Sequence, residues 1–277
     1  MFQNRTIGIV TKHEKELLIS DLLEKELNCK VELIAGIDTD QLGTFTGEIE
    51  RKELPLETIQ KKCILGHQKG YDLVLASEGS FGVHPSIPFM IANEELILLS
   101  DKKHTAIFLG KSLSSETNYL YEKINSIEEL KEKVLKIVFP SHGVILEFKT
   151  SEKSIFLKEI TNIDDLIQGF KNEFKDDVSC FIHSDMRAHR NPTRRKTILS
   201  ATNNLIEQLK SLCPNCNFPG FSTKTHEFGL PCSNCLKPTK SIRKTFTHCK
   251  KCTHFITEDY PKNKFFEDPQ FCDYCNP

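Results

Sequence analysis

The sequence has 277 residues, of which 38% are hydrophobic, and it carries a formal net charge of -1. That length suits one substantial domain with a real core and a small second domain. The balanced charge excludes bulk attraction to nucleic acid or anionic lipid, though not a local basic patch. No apolar run approaches the length of a membrane span, and the N-terminal residues lack the layout of a signal peptide. We therefore expect a soluble cytoplasmic protein with no membrane partner.

The N-terminal segment predicts an opening β-α-β unit. Thr6–Thr11 is a β-branched run, leucines recur on one face of a helical pattern over Leu17–Leu27, and Val31–Ala35 reads as a second strand. In α/β proteins a phosphate-bearing ligand binds where the first strand leads into the first helix. Lys12 lies at that junction and is either a candidate substrate ligand or an ordinary solvated lysine.

The stretch Gly36–Arg51 is rich in glycine and threonine and has no helical period, which predicts a loop or an irregular hairpin. Within it, Asp38 and Asp40 are candidates for metal or substrate contact. The alternative is that both are simply acids of a turn, which is their commoner use.

A helix is predicted from Pro55 to about Lys69, because proline favours the first helical turn. Glu57 and Lys61 are one turn apart on it, a spacing usual for a weak surface ion pair. The helix leads directly into the apolar strand Asp72–Ser77.

The apolar run at Leu73–Phe89 is the stretch around which the chain is organised. It stops at Ser77-Glu78-Gly79, and glycine and proline residues follow, which predicts a loop after the strand. A buried strand that delivers one carboxylate to a glycine-flanked edge is a common way to build a ligand site. Glu78 is thus a candidate catalytic residue, or merely the cap of a turn.

The next segments predict a mixed sheet flanked by helices, which is an α/β fold. We expect a hairpin that turns at Asn93-Glu94 and a helix that begins with the capping box of Ser126 and Glu129. The remaining predicted elements are strands at Thr105–Leu109, Gly143–Lys149, Ser154–Ile160 and Val178–His183, and a helix at Asn162–Phe174.

Basic residues crowd the junction between the Val178–His183 strand and a long helix that Asn191 and Pro192 should begin. Guanidinium groups and free backbone N–H groups at such a junction favour an anion. The alternative is a solvated basic helix start paired with nearby acids. The candidate substrate-binding residues here are Asp185, Arg187, His189, Arg190 and Arg194.

Eight of the 11 cysteines form four Cys-x-x-Cys pairs after residue 212, where the composition also changes. We therefore predict two domains, residues 1–211 and 212–277, the second a zinc ribbon with two structural Zn²⁺. Consecutive pairing leaves 15 and 19 residues inside the two sites, which suits ribbons. The alternative is an interleaved arrangement, in which the first pair shares a site with the third and the second pair with the fourth. The predicted ligands are Cys213, Cys216, Cys232, Cys235, Cys249, Cys252, Cys272 and Cys275.

Four thiolates close the coordination shell of a zinc ion, so this metal would be structural, with disulfides or an iron–sulfur cluster as the other readings. The tail has more basic than acidic residues, and Lys240–Lys251 could contact nucleic acid or form a solvated face.

The whole chain resembles an uncharacterised bacterial family of unknown function. The residues that carry this resemblance are DTDQLGTFTGE at Asp38–Glu48, ASEGSFGVHP at Ala76–Pro85, DMRAHRNPTR at Asp185–Arg194 and the four cysteine pairs.

The segment 1–212 is also similar, more distantly, to the inosine-triphosphate pyrophosphatase (ITPase) and Maf-like superfamily in the order of its motifs. These motifs are the lysine loop at Thr11–Leu18, the helix segment Leu56–Lys62, the acidic turn at Leu75–Gly82 and the Ala188-His189-Arg190 run. The resemblance implies hydrolysis of nucleoside triphosphates to monophosphate and pyrophosphate.

By this resemblance, Glu57 and Glu78 would hold Mg²⁺. The phosphates would be neutralised by Lys12, by Lys61 or Lys62, and by Arg190. His189 or Asp185 would contact the base or the ribose. The chain departs from the pattern because ITPases have adjacent acids where it has Ser77-Glu78. The competing hypothesis is a non-catalytic module whose cysteine tail binds nucleic acid or protein.

Overall fold

The computed structural model describes residues 1–12, 14–44, 48–49, 51–175 and 177–277. His13 and part of the Asp38–Glu48 motif lie outside the described residues. The structure divides into two compact units, Phe2–Ile206 and Glu207–Pro277, which we call the α/β unit and the cysteine unit. In the parts of the chain described, no helix has both the length and the apolar character needed to cross a membrane.

A five-stranded mixed sheet begins the α/β unit. The first two helices connect its parallel strands, and the order of strands is β2-β1-β3-β4-β5. Strand β1 is parallel to β2 and β3, whereas β4 is antiparallel to β3 and β5. The expected mixed α/β architecture is confirmed. The elements are β1 (Thr6–Val10), α1 (Lys15–Leu27), β2 (Lys30–Leu33), α2 (Pro55–Gln68), β3 (Leu73–His84), β4 (Ile87–Asp101) and β5 (Ala106–Ser114).

The loop predicted after Ser77 is wrong, because β3 continues unbroken to His84. Glu78 pairs with Leu96 in the ladder to β4, and the hairpin turns between His84 and Ile87, not at Asn93-Glu94. The ladder satisfies the backbone on both sides of Gly79, so the glycine does not end the strand. The carboxylate therefore stands on a rigid strand and not on a loop.

Helix α2 covers one face of this sheet. Its Ile59 and Cys63 are buried against Val74, Ala76 and Leu98. On α1 the predicted leucine face is only partly correct, because Leu17 is 73% exposed while Ile19, Leu23 and Leu27 are buried.

A second, four-stranded antiparallel sheet completes the α/β unit, where the sequence predicted a single sheet. Its order is β6-β9-β7-β8, and α3 and α4 pack over one face around Leu130, Phe148 and Phe170. Half of the predicted capping box is present: Ser126 Oγ accepts from Glu129 N–H at 3.2 Å, whereas the Glu129 carboxylate accepts from Asn125 N–H at 2.7 Å and not from Ser126. The elements are β6 (Tyr121–Ile124), α3 (Ile127–Ile137), β7 (Val144–Lys149), β8 (Ser154–Leu157), α4 (Ile163–Glu173), β9 (Ser179–Ser184) and α5 (Pro192–Lys210).

The cysteine unit contains a three-stranded antiparallel meander, β10 (Thr223–Phe228), β11 (Ile242–His248) and β12 (Phe255–Asp259). Every residue of β10 and β12 is exposed, so the sheet buries little apolar surface. Its stability must come from something other than a hydrophobic core.

Candidate functional site

The eight cysteines of the tail form two groups of four in the interleaved arrangement. Within each group all Sγ atoms lie within 4.8 Å of one another. The first group is Cys213, Cys216, Cys249 and Cys252, and the second is Cys232, Cys235, Cys272 and Cys275. Each group could hold one metal ion.

The meander explains why the consecutive pairing considered from the sequence is wrong. One Cys-x-x-Cys pair precedes each strand and one follows the last, so the chain reverses direction between neighbouring pairs. Alternate pairs therefore meet at the same end of the sheet, and consecutive pairs lie a strand length apart. A strand rises about 3.3 Å per residue, so two cysteine pairs separated by a strand of five residues or more are too far apart to bind one ion.

The sulfur spacing fits a tetrahedral ion of the size of zinc. A Zn–S bond of about 2.3 Å places tetrahedral ligands about 3.8 Å apart. The Sγ atoms of Cys213 and Cys252 are 3.8 Å apart, and those of Cys235 and Cys272 are 3.6 Å apart. The donor set is all sulfur, which zinc and iron–sulfur clusters share.

Amide groups surround the sulfurs in the same way at both sites. Asn215 Nδ2 lies 3.7 Å from Cys252 Sγ, and Asn234 Nδ2 lies 3.6 Å from Cys275 Sγ. Cys213 N–H donates to Phe218 C=O, and 19 residues later Cys232 N–H donates to Lys237 C=O, both at 2.9 Å. The two sites are thus built from a repeated loop.

The thiols of one group do not ionise together without a cation. In the second group, N–H donation by the Cys235 backbone lowers the pKa of Cys232 to about 7, whereas the hydrogen bond with Cys235 raises the pKa of Cys275 to about 12. Adjacent thiolates repel one another, so a divalent ion is needed to hold all four deprotonated.

In the α/β unit, Glu78 is the centre of a buried charge cluster. Its side chain is buried, and its carboxylate forms ion pairs with both Lys62 and Arg51. Burial acts to raise the pKa of Glu78, but the two cations outweigh it and lower the pKa below its usual value. Glu78 is therefore an anion whose oxygens are already occupied.

Lys15 is also buried in this cluster. Its Nζ donates to Ser77 Oγ at 3.1 Å, and Lys62 and Arg194 are nearby cations. Desolvation by burial lowers the pKa of Lys15 to about 7. This amine can therefore gain or lose a proton near neutral pH, which an exposed lysine cannot.

A cleft opens onto Lys15, Lys62 and Glu78, and we call it the Glu78 pocket. Its free volume is about 30 Å³, which exceeds the roughly 10–15 Å³ that one water needs but is too small for a nucleoside. The residues that line it are Thr11, Lys12, Lys15, Thr39, Asp40, Gly43, Thr44, Lys62 and Glu78.

The mouth of the Glu78 pocket is polar and half-exposed. Lys12 Nζ pairs with Asp38 at 2.9 Å and with Asp40 at 2.5 Å. The short helix Thr39–Leu42 brings these acids to the lysine, and Asp38 caps it by accepting from Asp40 N–H. The structure thus brings Lys12, Lys62 and Glu78 together, as the sequence analysis expected.

Glu57 lies away from this cluster. It is exposed at the first turn of α2, where its carboxylate accepts from Leu54 N–H at 3.1 Å. Lys61 pairs with Glu53 rather than with Glu57. Glu57 is not among the residues that line the Glu78 pocket.

The basic junction before α5 is assembled from internal ion pairs. Arg187 binds the buried Asp185 at 2.6 Å and Glu159 at 2.5 Å. His189 and Arg190 also face Glu159, at 3.8 and 4.0 Å. Four of the five predicted residues are together, but Glu159 already supplies an anion for this group.

Arg194 points elsewhere, into the sheet. Its guanidinium pairs with Glu95 at 2.7 Å, and neither side chain is exposed. A Cβ at Gly79 would lie 2.4 Å from Glu95 Oε1 and 2.6 Å from Arg194 Nη2. Gly79 is therefore required for the close approach of this pair to β3.

Sequence reasoning missed Lys15, Arg51 and Glu95. No spacing pattern links them to Glu78, because they come from three separate elements that only the fold joins. A lysine inside the buried face of α1 is the one signal that was available, since lysine is seldom buried.

One of three comparisons with known proteins gives a match. The model of a domain of unknown function, DUF6671, matches residues 62–277, which is more than three quarters of the chain. The chain belongs to this family. No curated protein and no solved structure matches the chain. The likeness to ITPase and Maf-like proteins thus stays a prediction from the order of motifs.

Proposed function

We propose that the α/β unit binds the phosphates of a nucleotide in the Glu78 pocket and hydrolyses nucleoside triphosphates, non-standard ones among them, to monophosphate and pyrophosphate. The observation that supports this most is the excess of cations at Glu78, because among the described residues two cations, Lys62 and Arg51, pair with its one carboxylate. Such an excess favours an incoming anion.

The mouth of the pocket can accept a phosphate at little cost. The pair between Lys12 and Asp38 is half-exposed, and exposed ion pairs contribute at most about 1 kcal/mol. Lys12 can therefore exchange a carboxylate for a phosphate oxygen. The base and ribose would lie outside the cleft, whose volume suits only a phosphate end.

Mg²⁺ held by the protein alone does not fit the described residues. The carboxylates of Glu78, Asp38 and Asp40 are all paired with cations, and the only clusters of three or more potential ligands in the described chain are the cysteines. In this proposal the lysine and arginine cluster, not a resident magnesium, neutralises the phosphates.

ITPases have a second acid where this chain has Ser77. In this proposal Lys15 acts as the base instead. As a water molecule attacks the α-phosphorus, a proton of that water passes to the lone pair of Lys15 Nζ. The bond between the α-phosphorus and the bridging oxygen then breaks, and pyrophosphate leaves. Lysines whose pKa is lowered towards 7 by burial are suited to this role.

The test is pyrophosphate release by the metal-loaded chain with standard and deaminated nucleoside triphosphates, with and without Mg²⁺. We expect turnover that Glu78→Gln abolishes, because Lys62 and Arg51 lose the anion that positions them. Glu94→Gln on the neighbouring strand is the matched control and should keep the rate. Absence of turnover with every triphosphate would refute the enzymatic proposal.

For the cysteine unit we propose that the ions are two structural Zn²⁺ and that its surface binds single-stranded nucleic acid. Exposed aromatic rings support this, since bases stack on them: Phe228, Phe255, Phe271 and Tyr274 are each more than half exposed. Lys237 Nζ lies 4.0 Å from the Tyr274 ring centroid. The basic stretch argues less strongly, because Lys240, Arg243 and Lys244 are paired with acids.

Binding of a fluorescent single-stranded RNA or DNA, followed by anisotropy at two salt concentrations, tests this second proposal. Tyr274→Ala should weaken binding by about 1–3 kcal/mol, the usual value of one stacked base. Tyr119→Ala, which removes a ring of the α/β unit that is 46% exposed and stacks on Phe81, should not. Equal losses, or no binding, would contradict the proposal and leave a protein partner as the candidate.

A further inference from the structure

A second cavity, of about 510 Å³, lies in the α/β unit between the C-terminal half of α2 and strands β4 and β5. Its walls include the exposed apolar side chains of Ile64 and Ile107. Cavities of this size commonly hold a small molecule. It shares no lining residue with the Glu78 pocket.

Two reactive side chains line this cavity and are hydrogen-bonded to each other. His67 Nε2 lies 2.8 Å from Ser100 Oγ, and His67 Nδ1 lies 2.8 Å from the backbone oxygen of Tyr71. Both His67 and Ser100 are half-buried, so they are held in place yet reachable from the cavity.

The contact with Tyr71 fixes the tautomer of the neutral imidazole. A carbonyl oxygen only accepts hydrogen bonds, so Nδ1 must carry the proton and Nε2 the lone pair. Ser100 O–H then donates to Nε2. This is the arrangement in which a histidine can remove the proton of a serine, with the backbone carbonyl as the group that orients the base.

We propose that Ser100 and His67 are a nucleophile and general base that hydrolyse a small ester with an apolar acyl group bound in this cavity. This activity is independent of the proposed nucleotide hydrolysis. The chemistry follows from the pair, and the acyl preference follows from the apolar walls formed with Ile64 and Ile107.

In the first step Ser100 Oγ bonds to the ester carbonyl carbon while its proton passes to His67 Nε2. The bond to the alkoxide then breaks, and His67 returns the proton to the leaving alcohol. Water, deprotonated by His67, next attacks the acyl-serine, releases the carboxylic acid and restores the serine. Gln68 and Lys102 line the same cavity and carry N–H donors of the kind that the tetrahedral oxyanion requires.

The test on the unaltered protein is labelling with a fluorophosphonate probe followed by peptide mapping. We expect one adduct, on Ser100, together with hydrolysis of p-nitrophenyl butyrate that the probe inhibits. Phosphonylation needs an activated serine, so a merely structural Ser100 would give no adduct. Absence of the adduct on Ser100 would overturn the proposal without need of any variant.

Two variants sharpen the test. His67→Gln should reduce both labelling and ester hydrolysis by about 10²–10⁴-fold, the usual contribution of a general base. Ser112→Ala is the control, because Ser112 is a half-buried serine of β5 outside this cavity. Thermal unfolding establishes that the variants are folded. Undiminished labelling in folded His67→Gln would show that His67 is not the base and would also overturn the proposal.

Discussion

The two units differ in how their chemistry-bearing residues are brought together. In the cysteine unit the ligands come as local Cys-x-x-Cys pairs, and the strands between them only decide which pairs meet. In the α/β unit the Glu78 cluster is assembled from α1, α2, β3 and the segment before α2. Local motifs thus reveal a metal site in sequence, whereas a buried charge cluster becomes visible only in the fold.

The units also differ in what stabilises them. The α/β unit has apolar clusters packed under its helices, and the cysteine unit has a sheet in which every residue of both edge strands is exposed. We therefore expect the first to be insensitive to chelators and the second to depend on metal.

Removal of metal should have the largest effect. Structural zinc binding contributes about 10–16 kcal/mol in small zinc domains, so a strong chelator should unfold the cysteine unit. NMR spectra should lose the dispersed signals of residues 207–277 and keep those of the α/β unit. Simultaneous loss of both sets of signals would contradict the difference between the units.

The interleaved pairing gives its own test through metal content. Cys216→Ser and Cys249→Ser alter the same site, so the double variant should lose no more metal than either single variant. Cys216→Ser with Cys235→Ser should lose both ions. The reverse result would restore the consecutive pairing.

In the α/β unit, the largest single effect should come from the ion pair of Arg194 and Glu95, which is completely buried. Arg194→Met leaves Glu95 as an uncompensated buried charge, at a cost of about 3–5 kcal/mol in the free energy of unfolding. Lys196→Met breaks the exposed pair with Glu116 and should cost about 1 kcal/mol or less. Urea denaturation measures both, and equal costs would show that the burial of Arg194 is irrelevant.

Lys15→Met should raise stability, by an amount that depends on pH. Below about pH 7 the lysine is charged in the folded and the unfolded chain, so its burial costs the most there, on the order of a few kcal/mol. Between about 7 and 10.5 only the unfolded chain holds the proton, so wild-type stability rises with pH and the gain from methionine shrinks. Melting temperatures at pH 6 and pH 9 check this. A gain independent of pH would contradict the lowered pKa.

The amide contacts to sulfur should matter least. Asn215→Ala and Asn234→Ala each remove one side-chain N–H near a cysteine sulfur, a loss of about 1 kcal/mol. Because the two loops repeat one another, the two variants should lower metal affinity equally. Competition with a chromophoric chelator measures the metal affinity of each variant. Clearly different losses of affinity would show that the two loops, although alike in structure, do not stabilise their metal ions equally.

Most helices could be read from local signals. The caps at Ser126 and Asn191 and the proline at Pro55 mark helix starts that tertiary packing did not override. The continuation of β3 beyond Glu78 could not be predicted from the sequence, because it depends on pairing with β4. The glycines at 79 and 82 are more typical of a loop and do not indicate this pairing.

The candidate sites show the same limit. Lys12, Lys62 and Glu78 lie together in the structure, a grouping that the sequence suggested only through the resemblance to the ITPase superfamily and with Lys61 as an alternative to Lys62. The partners of Arg187 and Arg194 were not foreseen, because Glu159 and Glu95 come from distant parts of the chain and the sequence shows charges but not which of them meet.

Calorimetric titration of the metal-loaded chain with inorganic pyrophosphate tests most directly whether the Glu78 pocket binds phosphate. Lys12→Met removes a cation that lines the pocket, and Lys61→Met removes an exposed, ion-paired lysine of the same unit that does not. We expect wild type and Lys61→Met to bind equally and Lys12→Met to bind at least about tenfold more weakly, since charge-assisted hydrogen bonds contribute about 1.5–3 kcal/mol. Equal affinity in all three proteins, or no binding by wild type, would contradict the phosphate-binding role of the pocket.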